Sequence, residues 1–165
     1  MIRDADVFTR LYSEVAKDLY RLALYFLKNK EDAEDIVSEA VLDAYRQIES
    51  LRDDSLFRNW IVKILTNKCR MKLKYYAQSK EEVSDNVTEL SDERTKREAY
   101  NAEFNSLELK EMLMELENEE RFIICLSVFE GYKGDEIARI LGLNPATVRS
   151  KKQRALAKLK AVIKE

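Results

Sequence analysis

The sequence predicts an all-α protein built as two small helical domains joined by a flexible linker. Three glycines and one proline in 165 residues leave few turn formers, while Leu, Ala, Glu and Lys are abundant. Apolar residues recur at three- and four-residue spacing in two blocks, and no strand-type alternation or internal repeat competes with that period. Between the blocks the period lapses in a stretch rich in Glu, Ser, Asp, Asn and Thr. The expected division is therefore residues 1–77, an acidic linker at 78–105, and residues 106–165.

The first helix is predicted from Asp6 to Leu27, with Phe8, Leu11, Tyr12, Val15, Leu19, Leu22 and Phe26 along one face. A second, from near Asp32 to about Glu49, carries two faces. Ala33, Ile36, Val37, Ala40, Val41, Ala44 and Tyr45 form an apolar one, whereas Asp32, Asp35, Glu39 and Asp43 step along another. Like charges at that spacing repel, so the stripe is either a solvated face or a docking surface for cations. Residues 50–56 break the pattern, and Ser55 is expected to cap a third helix over 56–76. From Arg58 to Tyr76 that helix holds six cations, Arg70 among them, and no acid, and it ends in Tyr75-Tyr76. Cations take phosphates and flat rings stack on bases, so the segment suits nucleic acid better than it suits a merely solvated face.

Within the linker a helical turn is expected near 94–100. The C-terminal block opens with Leu107, Met112 and Leu116 and continues through Phe122, Ile123, Leu126 and Phe129. From Gly134 onward it reads as two helices joined by a tight turn. Ile137, Ala138 and Leu141 share a face, Gly142 stops the first helix, and Asn144-Pro145 starts the second. Val148, Ala155, Leu159 and Val162 then point to a core and leave Arg149, Lys151, Lys152, Arg154 and Lys158 on the surface. That is the layout of a helix-turn-helix, and the agreement of cap, turn and cations favours it over a helical hairpin kept in solution by lysines.

Composition narrows the chemistry. Histidine is absent, and neither a Gly-rich phosphate loop nor a nucleophile elbow is present, so no catalytic residue, metal ligand or cofactor is assigned. Cys69 and Cys125 stand alone and are expected as free, partly buried thiols. With no charged-then-apolar leader and no apolar run of about 18 residues, the chain is expected in the cytosol, without membrane insertion. The formal net charge of −2 conceals +1 over 1–77, −9 over 78–120 and +6 over 121–165. A mildly acidic whole is thus compatible with a DNA-binding part. Attraction between the −9 and +6 segments favours a closed arrangement, weakened by ~8–10 Å screening in physiological salt.

Two blocks together resemble a known family. Asp32-Ala-Glu-Asp-Ile-Val-Ser-Glu-Ala-Val-Leu-Asp-Ala-Tyr45 with Ser55-Leu-Phe-Arg-Asn-Trp-Ile-Val-Lys-Ile-Leu-Thr-Asn67 is similar to the second region of bacterial extracytoplasmic-function (ECF) sigma factors of the sigma-70 family. Glu130 to Ser150, with Arg154-Ala155 beyond, is similar to their fourth region. The resemblance implies a transcription initiation factor, not an enzyme, that directs RNA polymerase core to promoter DNA. It implies that Asp32, Asp35 and Glu39 meet arginines on the clamp helices of the largest polymerase subunit. Trp60, Lys63 and Asn67 would lie at the melted minus ten element, with Arg70 on the same basic helix and the 50–56 loop near an extruded base. Arg149, Ser150, Gln153 and Arg154 would reach base edges or phosphates of the minus thirty-five element, and Lys151 and Lys158 phosphates.

An anti-sigma factor is a further partner that the resemblance implies. The sequence departs from the family where Leu116-Glu-Asn-Glu-Glu replaces a Leu-Pro helix start, and at Lys152 and Gln153, which leaves base preference open. The alternative is a LuxR-type helix-turn-helix regulator without sigma activity, which needs neither an acidic docking helix nor a basic melting helix.

Overall fold

A computed structural model describes residues 5–82 and 107–164 of the chain. Helix α1 (Ala5–Leu27) buries Phe8, Leu11, Val15 and Leu19 at the predicted spacing, and then all six residues from Leu22 to Leu27. A helix buried on every side needs neighbours on every side. Lys28 closes it in the left-handed region, at φ 58°, with its N–H donated to the Leu24 carbonyl at 2.8 Å.

Helix α2 (Lys30–Arg46) starts earlier than the acidic pattern suggested. The Asn29 side chain accepts from the Asp32 N–H at 3.0 Å, and that cap sets the start. The α-helix also stops short of Glu49 and passes into a 3₁₀ turn, Ile48–Ser50. Ser55 does not cap the third helix: Asp53 accepts from the Ser55 N–H at 3.0 Å, opening a second 3₁₀ turn over Asp54–Leu56. Helix α3 (Phe57–Glu82) then runs past Tyr76 and past the expected domain boundary at 77. Residues 77–82 lack apolar periodicity but contain no Gly or Pro, so helix propensity carries them where packing gives no signal. The helical turn expected near 94–100 lies outside the described residues.

The three helices form one bundle, with α2 and α3 both packed on α1. Phe8 pins the top by edge-to-face contacts with Tyr45 and Phe57, at 5.4 and 5.7 Å between centroids.

The C-terminal module comprises α4 (Leu107–Met114), α5 (Asn118–Ile124) running into a π turn (Cys125–Phe129), α6 (Gly134–Leu141) and α7 (Pro145–Lys164). Without the family's proline, α5 is started by Glu120, whose carboxylate accepts from the Glu117 N–H at 3.0 Å. The helix-turn-helix forms as read. Gly142 ends α6 at φ 66°, and the Asn144 side chain accepts from the Ala146 N–H at 2.9 Å to start α7. Both thiols are buried in full, and burial pushes each well above the usual cysteine range, so they are inert core residues.

The two modules are not separate bodies on a tether. Helix α5 packs on α1 and α3, and α6 packs on α3. Phe26 meets Phe122 edge to face at 4.5 Å, and Tyr25 meets Phe129 at 4.9 Å. Phe129 stays 40% exposed at this seam.

Candidate nucleic-acid interface

Three faces carry the residues singled out above. On α2, Asp35 and Glu39 are exposed, and the C-terminal module packs on α1 and α3. Asp32 is different. Its carboxylate accepts from the Tyr76 hydroxyl at 3.0 Å and lies 3.5 Å from the Lys72 ammonium, with only 16% of the side chain exposed. Asp43 pairs with Lys68 at 2.6 Å, and that hydrogen bond holds its carboxyl below the usual aspartate range. The acidic stripe is thus divided, its ends tied to α3 and its middle left open. Burial and the hydrogen bond to Asp32 push Tyr76 up to about 12, which keeps it a neutral donor.

On α3 the four singled-out residues fall along one side, and the C-terminal module faces that side. Trp60 and Lys63 line a groove of about 380 Å³ with Arg52, Leu56 and Asn59, whose opposite wall is Tyr132, Glu136, Arg139 and Ile140 at the start of and along α6. Asn67 and Arg70 line a second cleft, of about 660 Å³, closed across by Asn118, Glu119 and Phe122. Arg70 is already engaged there: it donates to the Leu141 carbonyl at 2.6 Å and lies 3.9 Å from Glu119. Trp60 is half-buried and tilts against Phe57 at 6.0 Å, so its indole is both a packing group and a wall of the groove.

On α7 the cations divide in two. Arg149, Gln153 and Arg154 are exposed, and Ser150 beside them donates to the Thr147 carbonyl at 3.3 Å. They occupy the outward face of a helix whose Val148 and Ala155 are buried beneath. Lys151 and Lys158 turn back to α5, pairing with Glu119 at 3.1 Å and Glu120 at 2.8 Å. Burial works to raise the Glu120 carboxyl, yet the Lys158 ammonium and the Glu117 N–H outweigh it and hold it below the usual glutamate range.

Some residues escaped sequence reasoning. Arg121 is 1% exposed, with its guanidinium donating to the Phe26 carbonyl, to the Leu116 carbonyl and to the Asn118 side chain. Arg58 bridges Asp18 on α1, at 2.9 Å, and Glu130 beyond the π turn. A signal for Arg121 was present: a cation immediately before Phe122-Ile-Ile lies against an apolar face. Among the described residues no cluster of His, Cys, Asp and Glu is disposed to hold a metal, and no helix is long and apolar enough to cross a membrane.

Comparison with known proteins gives the same two blocks. Residues 11–78 match the family model for Sigma-70 region 2, and residues 106–159 match Sigma-70, region 4. The RNA polymerase sigma factor SigV of Bacillus subtilis (strain 168) is 36% identical over 140 residues, which span 85% of this chain and 81% of SigV. The ECF RNA polymerase sigma factor SigM of Mycobacterium tuberculosis is 28% identical over 156 residues, spanning 94% and 76%. Among solved structures, the sigma factor RpoE in complex with the anti-sigma factor NepR from Bartonella quintana superposes with a TM-score of 0.74 at 20% identity, covering 95% of this chain and 96% of RpoE. CnrH in complex with the cytosolic domain of CnrY gives 0.67 at 22%, covering 98% and 90%. These two likenesses show the fold.

Proposed function

The chain belongs to the sigma-70 family as a transcription initiation factor of the ECF type, and from that premise we propose which of its faces meets which partner. A sigma factor binds RNA polymerase and promoter DNA and is not an enzyme. The region 2 match over 11–78 leaves no support for a LuxR-type regulator.

In this reading Asp35 and Glu39 dock on the clamp helices of the largest polymerase subunit, and Asp32 positions them. Its bonds to Lys72 and Tyr76 fix α2 against α3. Exposed carboxylates meeting arginines steer and orient docking more than they add affinity. Trp60, Lys63, Asn67 and Arg70 hold the melted strand of the minus ten element. Arg149, Ser150, Gln153 and Arg154 read the minus thirty-five element in the major groove, where exposure on the outward face of α7 supports them. Lys151 and Lys158 reach phosphates by exchanging Glu119 and Glu120 for them. The domains divide as residues 1–77, a linker over 78–105 whose first residues, 78–82, continue α3, and residues 106–165. An anti-sigma factor is a partner by analogy with the RpoE complex, and the place of action is the cytoplasm, where polymerase and promoter are.

The observation that carries the docking assignment is the open middle of the acidic stripe beside its tied ends. A pull-down with purified core polymerase tests it. Asp35→Arg with Glu39→Arg is expected to abolish core binding while far-ultraviolet circular dichroism stays that of the wild type. Core affinity equal to wild type in that variant removes the stripe from docking.

A further inference from the structure

We propose that the groove between Trp60 and α6 binds a free nucleoside polyphosphate, its phosphates on Arg52, Lys63 and Arg139 and its base on the Trp60 indole. The binding follows from charge and shape in the groove itself; only its consequence for promoter opening rests on the strand-holding role of α3 given above.

Three cations from three elements line this groove: Arg52 between the two 3₁₀ turns, Lys63 on α3 and Arg139 on α6. All three are exposed, and among the described residues none has a hydrogen-bond or ion-pair partner. The cations of the neighbouring clefts are already engaged. Arg58 bridges Asp18 and Glu130, Arg70 holds the Leu141 carbonyl, and Lys68 and Lys72 pair with Asp43 and Asp32. The one acid on the groove wall, Glu136, accepts the Lys133 N–H at 3.0 Å and so caps its own helix. An anion entering here meets three positive charges without partners, and a cleft lined by one sign of charge concentrates its counter-ion.

Shape selects among anions. At about 380 Å³ the groove lies at the small end of the ~300–1,000 Å³ typical of small-molecule sites, room for one nucleotide and too little for a run of them. Trp60 is half-buried and tilted against Phe57, so it offers a fixed flat wall on which a base stacks, with Leu56 and Ile140 apolar around it. Asn59 brings both a donor and an acceptor for a base edge. A bare phosphate uses none of these, and an acidic peptide lacks the ring. Because Arg139 belongs to the C-terminal module and Arg52 and Lys63 to the N-terminal bundle, the ligand's phosphates tie the two together. Occupancy also covers Trp60 and Lys63, so a bound nucleotide competes with the melted strand, and promoter opening falls as nucleotide concentration rises.

Trp60 is the chain's one tryptophan, so its emission reads occupancy in the full chain. Titration with GTP and with ATP to about 1 mM, the upper end of ordinary metabolite affinities, is expected to quench it saturably with at least one of them. Inorganic pyrophosphate, which takes the cations but not the indole, is expected to reverse that quenching. Arg139→Ala is expected to weaken the binding about tenfold or more, the loss of one charge-assisted contact, with pull-down by core polymerase unchanged. Arg52→Ala repeats the binding test from the other wall should Arg139→Ala fail to fold. No saturable quenching by either nucleotide overturns the proposal, as does wild-type affinity in these variants or a failure of pyrophosphate to compete. Quenching by a single-stranded minus ten oligonucleotide alone gives the groove to the strand and overturns it too. Failure of the sigma reading shows separately, as absence of wild-type binding to core polymerase.

Discussion

At the scale of single residues, the structure separates side chains that one pattern had grouped. Arg149 and Arg154 face solvent, so Arg149→Ala and Arg154→Ala are each expected to weaken binding to minus thirty-five duplex by ~1–3 kcal/mol and to relax preference at the contacted pair. Equal losses across a library of sites, read by competition binding, exclude base reading. Lys158 behaves otherwise because it neutralises Glu120, a carboxylate whose residue is 2% exposed. Lys158→Ala therefore lowers the melting temperature, and adding Glu120→Gln restores part of it. Because the folded-state pKa of Glu120 is depressed, its contribution is present above the ordinary glutamate value of about 4.3 and is lost as pH falls below it. Acid titration of stability is expected to flatten over that window in Glu120→Gln; an unchanged profile assigns the effect elsewhere. Nothing in the sequence distinguished Lys158 from Arg154, since periodicity gives the face of a helix but not what stands opposite.

Among the elements, α6, the turn and α7 were legible almost to the residue, because their limits are set by local chemistry. Gly142 holds φ 66° with open space around a would-be Cβ, so Gly142→Ala meets backbone strain alone. A cost of about 1–2 kcal/mol is expected, readable as a lower urea midpoint with unchanged slope. A midpoint equal to wild type means the turn relaxes to another conformation. The limits of α2 and α3 were read less well, for a related reason. Asn29 and Asp53 are local caps that lay just outside the apolar pattern, and residues 77–82 form helix without any apolar pattern at all. Hydrophobic spacing finds the buried part of a helix, whereas caps and propensity decide its ends.

For the whole molecule, the seam between modules makes folding one event. Phe26 packs on Phe122 and Arg121 completes α1, so calorimetry of the intact chain is expected to show a single transition with equal calorimetric and van't Hoff enthalpies. Phe129→Ser with Glu130→Lys is expected to split it in two; two transitions in the wild type exclude a shared core. The sequence by itself determined the helical class, the helix-turn-helix and its caps, the acidic and basic faces, and the kinship with the sigma-70 family. Those follow from residue type and spacing along one helix at a time, which are properties of the chain. Only the tertiary structure decided that Asp32 and Lys158 are tied inward, that Arg121 is buried, and that α3 faces the C-terminal module. Each of these depends on a partner 38 to 95 residues away, at Glu120 for Lys158 and at Phe26 for Arg121. No local period records such a pairing, because the free energy that selects it is burial between elements, felt only when the chain has closed.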